Sequence, residues 1–307
     1  MTQYWKKLGQ LYDPTLKAQH PKLNSHAANP LAVHMGNDVY RVFFSGRDEN
    51  NRSSVGAVDV DIVQRKVIVE HYHPFFEHGP IGSFFADGVS IGNCYEVDDI
   101  RYMLFMGWQA PVNGHWRGDI GRLIVTPALS LELENPEPFM GNDSTDPISL
   151  SYPWVLEKPL GGFNMWYGST RAWDAGNGEM LHIIQHASSD DGHHWHRRGL
   201  AVPYELGRAQ AFSRPTVMTC KQGGFEMWFS YRSGSGEKYR IGYAKSTDGL
   251  SWTLDLEMAG ISVSDSGWDS EMIEYPFVFD HAGVRYMIYN GNGYGKTGFG
   301  LAVMEND

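Results

Sequence analysis

Short apolar runs that stop at a turn and resume with alternating aromatics recur along the whole chain, and no apolar stripe holds a helical period over a long segment. The run IEYPFVF (273–279) shows the pattern: it reads as a buried β-strand with a carboxylate, Glu274, at its mouth. It recurs as HAANPLAVHMGNDVYRVFFSG from His26, FADGVSIGNCYEVDDIRYMLFMG from Phe85, LSYPWVLEKPLGGFNMWYGS from Leu150, FSRPTVMTCKQGGFEMWFSYR from Phe212 and IEYPFVFDHAGVRYMIYNGNG from Ile273. Each copy is a strand, a turn and a second strand, followed by a third: SVGAVDV from Ser54, DIGRLIV from Asp119, LHIIQHA from Leu181, RIGYAKS from Arg240 and GFGLAVM from Gly298. Measured at the proline or its glycine substitute, the copies sit at Pro30, Gly88, Pro153, Pro215 and Pro276, at intervals of 58, 65, 62 and 61 residues. Such spacing predicts an all-β, five-bladed β-propeller of four-stranded antiparallel blades, a single domain over residues 1–307 whose first 25 residues close or cap it.

Composition supports strands. Aromatics make up 13% of the residues, with 10 Trp, 16 Tyr and 15 Phe, and the 35 Gly supply tight turns. SSDDGHHW (188–195) and STDGLSW (246–252) share an Asp-Gly-x-x-Trp core, and the first fits the Asp-box turn of sialidases and other propellers, a hairpin staple with no substrate information. A net charge of -11 argues against nucleic acid or an anionic membrane as partner. The 2 cysteines, Cys94 and Cys220, make neither a disulfide framework nor a cysteine-rich metal site, and no His-x-x-x-His or Cys-x-x-Cys spacing argues for zinc. The first residues, MTQYWKKLGQLYD, lack an apolar signal region, so a cytoplasmic location is expected.

In a propeller the innermost strands line a central channel, and the residues entering them gather at one mouth. The residues directly before the proline are Asn29, Asp87, Tyr152, Arg214 and Tyr275; those two before it are Ala28, Ala86, Ser151, Ser213 and Glu274. Two carboxylates facing each other across such a mouth suffice for glycoside hydrolysis, one protonating the leaving oxygen and the other activating water or attacking the sugar. A cation such as Arg214 would hold one ionised while packing near Tyr275 raises the pKa of the other. His26, at the start of the first inner strand, is a further binding candidate. Second-strand ends bring Arg47, Trp108, Arg171 and Arg232 to the rim, and Trp116, Trp173 and Trp268 lie on loops where they could stack on sugar rings. Four arginines exceed what a neutral pentose needs and suit a carboxylate or phosphate.

With Ala-Asp before one inner strand and Glu-x-Pro in another, the repeat resembles the five-bladed glycosidases, above all glycoside hydrolase family 43 and its relatives in families 32, 62 and 68. The resemblance implies an inverting glycosidase with Asp87 as general base and Glu274 as general acid. The mouth and rim positions themselves offer substrate contacts from Asn29, Arg214, His26, Arg47, Trp108, Arg171, Arg232 and Tyr275; no cofactor or catalytic metal is required, and the resemblance leaves room for a structural Ca²⁺ in the channel. Three departures stand out: Asn29 occupies the first-blade place of the family base, Gly88 replaces a proline, and Arg214 stands where a third acid belongs. Family 130, the mannoside phosphorylases, is a more distant likeness, with one acid and a basic phosphate site. A non-catalytic glycan-binding propeller is the remaining alternative. Sugar, linkage and oligomeric state are left open.

Overall fold

The computed structural model describes residues 3–16, 19–220 and 223–306. Strand β1 (Gln3–Tyr12) precedes five meanders. The first is β2 (Ser25–Gly36), β3 (Val39–Arg47), β4 (Ser53–Asp61) and β5 (Lys66–Glu70); the second is β6 (Gly88–Val97), β7 (Ile100–Gln109), β8 (Arg117–Val125) and β9 (Leu131–Leu133). The third is β10 (Ser149–Glu157), β11 (Phe163–Ala172), β12 (Leu181–Ser189) and β13 (His196–Leu200); the fourth is β14 (Ser213–Thr219), β15 (Phe225–Tyr231), β16 (Arg240–Ser246) and β17 (Trp252–Leu254). The fifth has three consecutive strands, β18 (Glu274–His281), β19 (Val284–Asn290) and β20 (Phe299–Asn306), and β1 pairs antiparallel with β20 as its fourth. The fold is therefore an all-β propeller of five four-stranded blades, closed by pairing the first strand with the last.

Blades pack face to face through the apolar side of each strand. Phe43, Phe105, Trp154, Trp166, Phe229 and Phe277 lie in one buried cluster that crosses blade boundaries. The two Asp-box turns are built as staples: Asp191 Oδ1 accepts from the His193 and His194 amides at 2.8 Å, and Asp248 Oδ1 from Leu250 and Ser251 at 2.8 and 2.9 Å. Trp166 Nε1 of blade three reaches the Gly249 carbonyl of the blade-four turn at 3.0 Å. His193 and His194 thus belong to a partly solvated turn.

One local feature positions the site. Asn29, Tyr152, Arg214 and Tyr275, each directly before an inner-strand proline, have φ of 54°, 38°, 48° and 52°, and each inner strand breaks register there. A non-glycine residue held in the left-handed region costs free energy and persists where its surroundings over-determine it. The resulting bulge turns the side chains before the proline toward the axis.

The second blade corrects the sequence alignment. Ser90, not Ala86, lines the axis together with Ala28, Ser151 and Ser213, and the carbonyls of Ile91 and Gly92 stand beside those of Tyr275 and Pro276. Gly92, rather than Gly88, therefore holds the proline's place, with this blade's bulge between Ile91 and Cys94. Pro30, Gly92, Pro153, Pro215 and Pro276 are then 62, 61, 62 and 61 residues apart. A Cβ at position 92 would meet the Pro153 carbonyl at 2.4 Å, which explains the glycine.

Candidate active site

The positions two before the proline form a ring around the axis: Ala28, Ser90, Ser151, Ser213 and Glu274. Above it opens a cavity of about 330 Å³. Its wall from blades four, five and one carries Asn29, Ser45, Arg47, Arg232, Tyr239 and Tyr275; its wall from blades two and three carries Met106, Trp108, Trp116, Tyr152, Met180 and His182. One side is rich in donors and acceptors and the other is mostly aromatic and thioether, the combination that a sugar ring with polar edges and C–H faces requires.

Arg214 does not line this cavity. It is buried beneath it, and its guanidinium donates to the carbonyls of Tyr275 (2.9 Å), Pro276 (3.2 Å) and Pro30 (2.6 Å), with longer contacts to Ile91 and Gly92 at 3.5 Å. These carbonyls belong to the inner strands of three other blades, so Arg214 spans the axis and seals the channel. Burial pulls its pKa down to about 9, which leaves it charged at neutral pH. The sequence placed a substrate ligand here; the geometry gives a plug whose donors are spent on backbone.

Glu274 is fully buried, and neither carboxylate oxygen has a hydrogen-bond partner of good geometry among the described residues. Burial drives its pKa well above the carboxylate range, opposed by the charges of Arg47 and Arg232 and by a loose approach of the Tyr275 hydroxyl. Tyr152 and Tyr239 lie close enough to feel its charge, and the Tyr152 and Tyr275 rings are 5.6 Å apart. A carboxyl that burial pushes toward its neutral form, inside a tyrosine cage and flanked by two guanidinium groups, is suited to donate a proton.

The flanking cations differ. Arg232 Nη2 is paired with Glu179 Oε1 at 2.7 Å and its guanidinium lies 4.8 Å from the Tyr239 ring centre. The Arg47 side chain makes no hydrogen bond or ion pair among the described residues, so the cavity carries one uncompensated positive charge. Among the described residues, five of the twelve buried polar side-chain atoms without partners belong to this side: Asn29 Oδ1, Ser45 Oγ, Arg232 Nε and both Glu274 oxygens. Buried polar groups are usually satisfied. Their concentration here marks a surface built for a ligand.

Opposite, Ser151 Oγ and Thr170 Oγ1 hold Nε2 and Nδ1 of His182 at 2.6 and 2.7 Å. Burial and the nearby Arg232 lower its pKa to about 3, so this imidazole is neutral and orients Ser151 rather than acting as a base. Trp108 Nε1 donates to Ser53 Oγ at 3.1 Å, fixing its ring in the wall.

Several expected residues lie elsewhere. Asp87 stands three residues outward of Ser90, about 10 Å along an extended strand; it is half-buried, and its Oδ2 accepts from the Ala110 amide at 2.7 Å. It is not in the ring opposite Glu274, because the alignment that put it there was four residues out of register. His26 is half-buried against Ser25 Oγ at 2.8 Å, outside the lining, and burial with Arg47 lowers its pKa to about 4. Arg171 is exposed on blade three, bonded to the Thr145 carbonyl at 2.6 Å. Trp268 packs on Tyr289 at 5.2 Å inside blade five. Sequence reasoning missed Ser45, Ser53, Ser90, His182, Tyr239 and Tyr294. Ser90 was available from the VSIG/LSYP match, whereas the others come from second strands, third strands and loops, where the repeat shows the strands but not which side chains turn toward the axis. Among the described residues no group of three or more His, Cys, Asp or Glu could hold a metal ion, and no helix is long and apolar enough to cross a membrane.

No family model matches the chain. Uncharacterized protein Rv1502 of Mycobacterium tuberculosis (strain ATCC 25618 / H37Rv) is 42% identical over 304 residues, covering 98% of this chain and 99% of its own, and Uncharacterized protein MT1551 of strain CDC 1551 / Oshkosh matches equally. The chain belongs to the Rv1502 family. Among solved structures, the fold of this Rv1502-family protein is similar to that of a glycoside hydrolase (TM-score 0.72, 13% identity, 99% of this chain and 93% of the other). It is also similar to the endo-arabinase from Bacteroides thetaiotaomicron VPI-5482 (TM-score 0.66, 13% identity, 95% and 98%). A third likeness is to a structure from work on the GH130 family of mannoside phosphorylases, which contains glycoside hydrolases that target beta-1,2 mannosidic linkages in Candida mannan (TM-score 0.70, 10% identity, 99% and 94%). At such identities the likeness carries the fold, shared with glycoside-acting propellers of several families, and nothing finer.

Proposed function

We propose that this protein cleaves a glycosidic bond of a sugar bearing an anionic group, with Glu274 as the proton donor. The observation that carries this reading is a cavity lined by an uncompensated Arg47 opposite an aromatic wall, with the fully buried Glu274 carboxyl directly behind its Tyr275 and pushed toward the neutral form. Arg47 takes the substrate's carboxylate or phosphate, while Trp108 and Trp116 face the C–H side of the ring. As the bond between the anomeric carbon and the leaving oxygen breaks, the Glu274 proton passes to that oxygen, and Tyr275, which lines the cavity beside Glu274, is the group through which it passes. Water or phosphate then forms the new bond to the anomeric carbon.

A second reading, phosphorolysis, is favoured by one observation: among the described residues no carboxylate lines the cavity itself, Glu274 lying behind Tyr275 and Glu179 being engaged by Arg232. Attacking water must give up a proton, for which Asp87 at the rim is the candidate; attacking phosphate needs no base. The test is product release from aryl glycosides of uronic acids, sugar phosphates and neutral hexoses, with and without phosphate. Glu274→Gln is expected to lower turnover by about a hundredfold or more, and Asp87→Asn to matter only if water attacks. Full turnover in Glu274→Gln would remove Glu274 from the chemistry.

A further inference from the structure

The cavity is a blind pocket. Arg214 closes its floor, so a chain cannot thread through it, and about 330 Å³ is near the lower end for small-molecule sites, room for one sugar unit. A longer saccharide must leave by the mouth. There two aromatic runs lead outward, Tyr239 to Tyr294 on one side and a tryptophan pair on the other, and only the second joins two loops into a platform. Trp116 lines the cavity and meets Trp173 edge-on, with ring centres 4.9 Å apart and planes at 78°. Trp173 in turn stacks on the exposed His115 ring at 4.6 Å and 17°. The two loops come from different blades, 110–116 between β7 and β8 and 173–180 between β11 and β12.

The platform is held before any ligand arrives. Asp174 Oδ1 accepts from the Gly176 and Gly178 amides at 2.7 and 2.9 Å, and Asn177 Nδ2 donates to Gln210 Oε1 at 2.8 Å, pinning the blade-three loop. Trp116 also packs toward His182 in the cavity wall, with ring centres 6.1 Å apart. Aromatic faces at the lip of a polar sugar-sized cavity, continuous with its wall, suit the apolar face of a second pyranose or furanose ring.

We propose that Trp116, Trp173 and His115 form a second carbohydrate subsite, so that the cavity takes the terminal unit of a saccharide and the adjoining unit lies over blades two and three. This rests on the reading of the cavity as a sugar site. It makes the protein exo-acting, with recognition of at least a disaccharide.

The experiment is calorimetric titration of the Glu274→Gln protein, which binds without turnover, with methyl glycosides of glucuronic acid, galacturonic acid and mannose and with the matching di- and trisaccharides. The disaccharide is expected to bind roughly three- to tenfold more tightly than its methyl monosaccharide, and the trisaccharide no more tightly than the disaccharide. Trp173→Ala should erase that advantage and leave monosaccharide affinity unchanged. The exposed His115→Ala, which cannot disturb the core, should erase part of it. A disaccharide advantage that survives both substitutions overturns the subsite. Saccharide binding without turnover in the wild type sinks only the enzymatic reading, whereas no binding by any member of the panel overturns both.

Discussion

Glu274 and three histidines set opposing slopes on stability. The Glu274 carboxyl has a folded pKa well above its ordinary value of 4.5, so the native state holds a proton that the unfolded chain has released. Its contribution is complete below pH 4.5 and is lost as pH rises toward the folded value. His26, His182 and His186 have folded pKa values of about 4, 3 and 4 against 6.5 unfolded, chiefly because burial disfavours imidazolium. Their contribution is complete above pH 6.5 and is lost as pH falls toward 4. Denaturant midpoints should therefore rise from pH 4 to 6.5 and decline on the alkaline side. Glu274→Gln, which has no charge to bury, should gain on wild type steadily as pH rises above 4.5 toward the folded value. A difference between the two proteins that stays constant over that range would mean Glu274 titrates normally.

At the scale of the element, the inner strand is the unit that makes the site, and Arg214 shows why its residues were hard to assign. The five strands read clearly in the sequence because burial on both faces imposes apolar runs, and the proline bulge was visible as AANP, LSYP, FSRP and IEYP. The one degenerate copy was not: FADG and VSIG both end in glycine, and only the packing of Gly92 against Pro153 decides between them. That slip moved Asp87 into the ring and hid Ser90. Side-chain direction was equally illegible. Position 214 was placed correctly at the axis, yet a long guanidinium in a narrow channel finds carbonyls before it finds a ligand. Those contacts define a structural role that substitution can measure. Arg214→Met should leave several buried carbonyls without donors and lower unfolding free energy by roughly 3 kcal/mol. A loss below about 1 kcal/mol in urea titration would mean that the inner strands do not depend on the plug.

At the scale of the whole molecule, a propeller is a ring whose last blade is completed by the first strand, and the strength of that joint limits the ring. Here β1 supplies it. Trp5 is buried with its ring 5.5 Å from that of Trp228 at 78°, tying blade five to blade four. Tyr12 contacts both Phe299 and Phe44, at 5.5 and 5.4 Å, tying blade five to blade one. Lys7 Nζ meets the buried Asp269 at 2.6 Å, and Asp269 also accepts from the Tyr289 hydroxyl at 3.0 Å. Without β1 the edge of β20 would be unpaired and the apolar faces of Phe299 and Leu301 uncovered, an open template for another chain. Trp5→Ala should cost about 3–5 kcal/mol and lower the melting temperature by roughly 5–10 °C. Removal of residues 1–12 should instead end in self-association, seen as larger species by light scattering at temperatures where the intact protein stays monodisperse. A truncated protein that kept both its size and its melting temperature would place the closure of the ring in the three remaining strands of blade five.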